Sequence, residues 1–186
     1  LEVEMDKKIL LLLARESIEE KLLHCPSKTL KELEKNPPPQ LMGEEGAFVT
    51  LKEVPSGNLR GCIGNIFGEG PLYKTVYRLA KESAFHDPRF RPLTAKELSK
   101  IKIEVSILTP PKRVEGPQEI NVGRDGVILT LGRRRALFLP QVAQEEGWDR
   151  ETLLRHLSLK AGLAPDGWLA EGVVFETFQA EVIGEE

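Results

Sequence analysis

Cysteines, aromatic rings and surplus positive charge are all scarce in this chain, and each shortage closes off a class of protein. Two cysteines, Cys25 and Cys62, among 186 residues are too few for a disulfide framework, and such usage suits a reducing, cytoplasmic compartment. Aromatics are 6% of the chain and the formal net charge is −3. No global positive field therefore draws in a phosphate backbone, and few rings are available to stack single-stranded bases. The longest apolar run near the start, Ile9 to Ala14, is far too short to span a bilayer. It follows Glu2, Glu4 and Asp6 instead of a basic stretch, which argues against a signal peptide.

Familiar catalytic devices are missing too. The sequence has no Cys-x-x-Cys, no His-Glu-x-x-His and no aspartate-rich calcium loop, so neither a metal site nor a cofactor is expected. The glycines from Gly61 to Gly70 are not followed by Lys-Ser or Lys-Thr, and they lack the dinucleotide-binding spacing.

What is present reads as one globular chain. Hydrophobic residues make up 40% and charged residues 30%, enough for an ordinary core without metal or disulfides. Leu10, Ala14, Ile18 and Leu22 recur at helical spacing and predict a helix over Asp6 to Leu23, ended by Cys25-Pro26. Ala47 to Val54 and Leu59 to Ile63 read as two strands joined by a turn. Leu72, Val76, Leu79, Ala80 and Ala84 form the buried face of a further helix. Thr94 and Glu97 have the form of a capping box. Ile101, Ile103, Val105 and Ile107 alternate with Lys102, Glu104 and Ser106, which is a half-buried strand.

Beyond Pro110-Pro111 we read a small hairpin within Asn121 to Leu139. A helix from Pro140 follows, then another capped by Asp149, and a closing strand over Val173 to Val182. The order predicts an α+β fold in a single 1–186 domain. A larger antiparallel sheet is flanked by helices, and about 110–168 forms a smaller second lobe.

The densest chemical signal is Leu59-Arg60-Gly61-Cys62-Ile63-Gly64. In an extended chain Arg60 and Cys62 fall on one face, and a guanidinium beside a thiol favours the nucleophilic thiolate. Gly61 and Gly64 leave room for a ligand or another backbone to come close. The alternative is a buried structural cysteine in a bulged strand. In Phe85-His86-Asp87-Pro88-Arg89-Phe90, Asp87 can fold a turn before proline, and Arg89 either staples that loop or offers a cation to a cleft. His86 is an isolated histidine. Glu104 and Ser106 lie on the polar face of their strand, where Glu104 is a base, a metal ligand, a partner for Arg60, or merely solvated.

These segments together resemble the AMMECR domain family. The resemblance rests on Leu59 to Gly64, on Asp87-Pro88-Arg89-Phe90 with Pro92-Leu93, and on Glu104 to Pro110. Gly123 to Val127, Leu139-Pro140-Gln141-Val142 and Lys160-Ala161-Gly162-Leu163 follow in the family's order, so that it covers Ile9 to about Phe178. It implies an α+β architecture with a smaller lobe, and a biochemical activity that is not settled. In prokaryotes such genes often neighbour those of a Memo-like protein and a radical-SAM enzyme, which implies those two as partners by association alone.

Three functions follow as expectations. The first is an accessory or substrate-binding component, for an unknown small-molecule or protein substrate, with Gly61, Gly64, Asp87, Arg89, Glu104 and Ser106 as binding residues. The second is an enzyme using Cys62 with Arg60, for which Glu104 or His86 would have to supply a base. The third is a nucleic-acid binding module, as has been suggested for the family, which charge and aromatic content oppose.

Overall fold

The computed structural model describes the backbone of residues 2–186 and side chains from residue 7 onward. Leu1 and the side chains of Glu2, Glu4 and Asp6 lie outside the described residues. The chain forms two compact units, residues 1–108 with 181–186, and residues 109–180. No helix among the described residues is long and apolar enough to cross a membrane.

In the first unit, helix α1 (Glu2–Leu23) places Leu10, Leu13, Ala14 and Ile18 fully out of solvent, as the 3.6-residue repeat requires. A short helix that the periodicity does not reveal, α2 (Lys28–Lys35), follows. Ser27 caps it by accepting from Leu30 N–H, and Glu16 of α1 accepts from Thr29 N–H and from the Ser27 and Thr29 hydroxyls. Eight residues with two leucines give too little pattern to read, whereas the cap is legible in hindsight.

Strands β1 (Glu45–Glu53), β2 (Leu59–Phe67), β3 (Ile101–Leu108) and β8 (Ala180–Gly184) form a four-stranded sheet in the order β2-β1-β3-β8. Pairing of β1 with β2 and with β3 is antiparallel. Between β2 and β3 runs helix α3 (Leu72–Phe85), which presents the predicted apolar face. Ala47, Val49 and Leu51 of β1 and Ile103 and Val105 of β3 are fully buried, in one core with residues of α1 and α3. Fully burying such a side chain contributes about 1.5–3 kcal/mol, so this face carries much of the unit's stability. Arg15 of α1 fastens the far edge. Its guanidinium donates to Glu185, two 2.7 Å bonds, and to the carbonyls of Leu98 and Ile101.

The second unit contains strands β4 (Lys112–Val114), β5 (Gly126–Leu131), β6 (Arg134–Phe138) and β7 (Val174–Phe178), and helices α4 (Pro140–Glu146) and α5 (Arg150–Lys160). Its strands pair antiparallel in the order β4-β7-β5-β6. Val127, Leu129, Ala136 and Phe175 share a core with Ala143, Leu153, Leu154 and Leu157. Asp149 caps α5 as expected, accepting from Thr152 N–H at 2.8 Å.

The fold is α+β. Two particulars differ from the sequence reading. The predicted hairpin is part of a full four-stranded sheet, whose strand β4, three residues long and just after a proline pair, is too short to leave a pattern. The predicted closing strand breaks at Gln179 into β7 and β8, which belong to different sheets.

Candidate functional site

Antiparallel register builds a row of polar side chains on the sheet face opposite α1 and α3. Cys62 on β2 stands opposite Thr50 on β1, and Thr50 opposite Glu104 on β3. Adjacent strands lie about 4.8 Å apart, so Cys62 and Glu104 sit roughly 10 Å from each other across Thr50. The Thr50 hydroxyl and the Cys62 thiol share a 3.2 Å hydrogen bond. Glu104 pairs with Lys52 at 3.1 Å, each side chain about a third exposed. One step along, Gly64 faces Phe48, and Phe48 faces Ser106, which is buried.

β2 is an edge strand, and unpaired edges are prone to recruit other strands. Here the edge is closed by the Asp87-Pro88-Arg89 turn. Cys62 N–H donates to Asp87 Oδ2 at 3.0 Å, while Arg89 Nη2 donates to the Cys62 carbonyl at 3.2 Å. The turn thus engages both backbone groups of Cys62, as a neighbouring strand would. Arg89 also donates to Asp87 through its backbone N–H, Nε and Nη2. The Asp87 side chain is 1% exposed. The Arg89 guanidinium, with the Cys62 and Arg89 amides, holds its carboxyl down at about 2 against the opposing effect of burial.

Helix α3 completes the seal. The Ser83 hydroxyl accepts from Ile63 N–H at 2.9 Å and donates to the Val49 carbonyl at 2.7 Å, bridging β2 to β1. A Cβ at Gly61 would collide with the Ser83 carbonyl oxygen, and one at Gly64 with the Phe48 ring and the Ala47 carbonyl. Both glycines are thus required for close approach, as the sequence implies. What approaches is the protein's own backbone and ring.

Arg60 does not do what its neighbourhood in sequence implies. Its guanidinium is buried and donates to Glu97 (Nε at 2.7 Å, Nη2 at 3.3 Å) and to the Arg91 carbonyl at 2.8 Å. Glu97 is the residue of the Thr94 capping box, so one carboxylate serves both the short 3₁₀ helix Ala95–Lys100 and the motif arginine. Glu104, for which pairing with Arg60 is one of the alternatives read from sequence, is with Lys52 instead. The capping box was legible; its second role was not, since 37 residues separate Arg60 from Glu97.

The thiol follows from this placement. Burial pushes Cys62 above the ordinary cysteine value, opposed by the Thr50 hydrogen bond and the charge of Arg89, and assisted by the charges of Asp87 and Glu104. Neither Glu104 nor His86 hydrogen-bonds to the thiol; His86 is exposed, with Nδ1 3.6 Å from Glu82 Oε2. Cys25 is exposed. Among the described residues no group of three His, Cys, Asp or Glu side chains is gathered to hold a metal ion.

The second unit repeats one device. Asp125, its side chain 1% exposed, accepts from Asn121 N–H, from Arg124 Nε and Nη2, and from Gln179 Nε2. Burial raises its carboxyl, but these four donors outweigh it and the carboxyl lies below its ordinary value.

Fold and site define a two-unit α+β protein whose glycine-braced motif is a sheet edge closed by the Asp87-Pro88-Arg89 turn. The chain belongs to the AMMECR1 family, whose model matches residues 11–183. It is 45% identical to a Pyrococcus furiosus protein over 184 residues, covering 94% of this chain and 85% of the other. A Methanopyrus kandleri protein is 46% identical, covering 84% of this chain and 79% of the other. The crystal structure of an uncharacterized protein from Pyrococcus horikoshii is similar at a TM-score of 0.86 and 42% identity, covering 96% of this chain and 90% of that one.

Proposed function

We propose that this protein is an accessory or substrate-binding component that acts with a Memo-like protein and a radical-SAM enzyme. The observation that carries the accessory part is that the motif's bonded groups are turned to the protein's own atoms, Arg60 Nη1 being buried without a partner. Arg60, Asp87 and Arg89 direct their hydrogen bonds to Glu97, to a loop carbonyl and to the backbone of Cys62, and burial disfavours the thiolate. Acid–base or nucleophilic catalysis needs a base within hydrogen-bond reach of the reacting group, and Thr50 is the neighbour Cys62 has. A rigid edge of this kind suits recognition, with Thr50, Cys62, Lys52 and Glu104 as the polar row presented. The choice of partners rests on the family resemblance. Co-elution of the purified protein with the two partners from the same genome, or a change in their activity on its addition, is the expected result. Lys52→Gln and Glu104→Gln should weaken that effect. Absence of both co-elution and any activity change overturns the reading.

A second reading, a cysteine-dependent enzyme, draws on the one charge that opposes burial at the thiol, that of Arg89. A Cys62→Ser strain without phenotype removes it.

A further inference from the structure

Independently of that reading, we propose that the second unit carries a binding site for a phosphate monoester, in the cavity beside β4. The cavity has a volume of about 560 Å³ and is lined by Lys112, Arg113, Arg124, Thr177 and Gln179, together with Val114, Glu119 and Asp125. Three cations against two carboxylates give this lining a net charge of +1, on a chain whose net charge is −3.

The two carboxylates are not equivalent. Asp125 is buried and its oxygens are occupied by four donors, so it acts as an anchor. It grips Arg124 through Nε and Nη2 and leaves Nη1 without an acceptor among the described residues. A guanidinium fixed on one side and 63% exposed on the other is pre-organised for an anion, because little rotamer freedom remains to be lost. Lys112 and Arg113 are exposed on the edge strand β4 and form no ion pair among the described residues. Thr177, directly opposite Lys112 in register, is 8% exposed. Its hydroxyl makes no hydrogen bond among the described residues and, unlike that of Thr75, is not sealed from solvent, so it is open to the cavity.

An open hydroxyl on β7, an anchored guanidinium on the turn before β5 and the exposed Lys112 on β4 offer donors to several acceptor oxygens at once. A phosphate monoester supplies three, with close to two negative charges at neutral pH. A carboxylate supplies two oxygens and one charge. Glu119 is the one carboxylate in the lining left to repel the ligand, and it therefore provides a test of sign.

The experiment is calorimetric titration of the full chain with glycerol 3-phosphate at fixed ionic strength, with sulfate and acetate as comparison anions. Binding of one equivalent at pH 8 is expected, weakened about fivefold in Lys112→Gln and tightened by about the same factor in Glu119→Gln, as for a partly exposed ion pair. Arg113→Gln stands in if Lys112→Gln lowers the melting temperature. Lowering the pH to 5 should weaken glycerol 3-phosphate, whose second ionisation lies at about 6, and leave sulfate unchanged. The lining holds no histidine, and Asp125 stays ionised in that range. Sulfate keeps its charge over this range, so the comparison of the two isolates the ligand's own charge. No binding, affinities indifferent to both substitutions, or acetate as tight as glycerol 3-phosphate would each overturn the proposal.

Discussion

Each unit buries one aspartate and holds it with an arginine close by in sequence, yet the two pairs serve different ends. Asp87 and Arg89 reach 25 and 27 residues back to take hold of both backbone groups of Cys62. Asp125 and Arg124 stay local: Asp125 accepts from Asn121 four residues away, and its one distant donor is Gln179. Both guanidinia donate through Nε and Nη2 and are more than half exposed, but the first also grips a strand edge through the Cys62 carbonyl, whereas the second donates to its aspartate alone and lines a cavity. The same charge pair is therefore structural cement or a ligand anchor, according to what its remaining donors meet. Sequence proximity of Asp and Arg carries no information on that choice.

The glycines beside the two pairs give the sharpest contrast. Gly61→Ala sets a methyl group against the Ser83 carbonyl oxygen, which belongs to the backbone of α3 and cannot rotate aside. Destabilisation of about 3 kcal/mol or more is expected, at the upper end for overpacking, measured as a shift in the urea midpoint. Gly126→Ala meets the far end of the Phe178 ring instead. Cζ lies on the ring's rotation axis and Phe178 is fully buried, so relief comes from a shift of the whole side chain, which no backbone opposes directly, and about 1–2 kcal/mol is expected. Equal costs would mean that α3 does not bear on β2 as tightly as the geometry requires.

Next in size is Asp87→Ala, which orphans the Cys62 amide. An unsatisfied buried donor costs about 1–3 kcal/mol, and hydrogen exchange at Cys62 should accelerate along with the loss of stability. In Asp125→Ala the exchange at Cys62 should be unchanged. Acid provides the same test without mutation. The folded carboxyl of Asp87 lies at about 2 against an ordinary 3.8, so its contribution is complete above the ordinary value and is lost as pH falls from about 4 toward 2. Discounted for the half-exposed Arg89, this is on the order of 1–2 kcal/mol. Asp125 is shifted in the same direction and adds to the same window. An Asp87→Asn variant should therefore show a shallower acid transition that persists in part.

Much of this molecule was legible from residue pattern, and the failures share a cause. The α1 stripe, the alternation of β3 and the caps at Thr94 and Asp149 are local signals, set by periods of 3.6 and 2 and by side chains that satisfy nearby amides. What stayed hidden was set by distant partners. Glu97 belongs to Arg60, Lys52 to Glu104, and the three residues of β4 are a strand because β7 lies alongside. β2 runs on to Phe67 past its apolar start, since Gly64 makes space for Phe48. The motif was recognised as important, but neither spacing nor composition distinguishes a glycine that admits a ligand from one that admits a helix carbonyl.

The smallest expected effect bears on the thiol, and on whether the first unit is cement alone. On a Cys25→Ser background, alkylation of Cys62 followed by intact mass should be slow at pH 8 and should rise only at pH above the ordinary thiol range. Burial disfavours the thiolate and outweighs Thr50 and Arg89. Arg89→Gln removes one of those two opposing influences and should slow the reaction a further few-fold. Asp125→Asn, in the other unit, should leave the rate unaltered. Ready alkylation near neutral pH would require the Arg89 charge to dominate at the thiol. The first pair would then resemble the second, a guanidinium with electrostatic work left to do, and the cysteine-dependent reading would displace the accessory one.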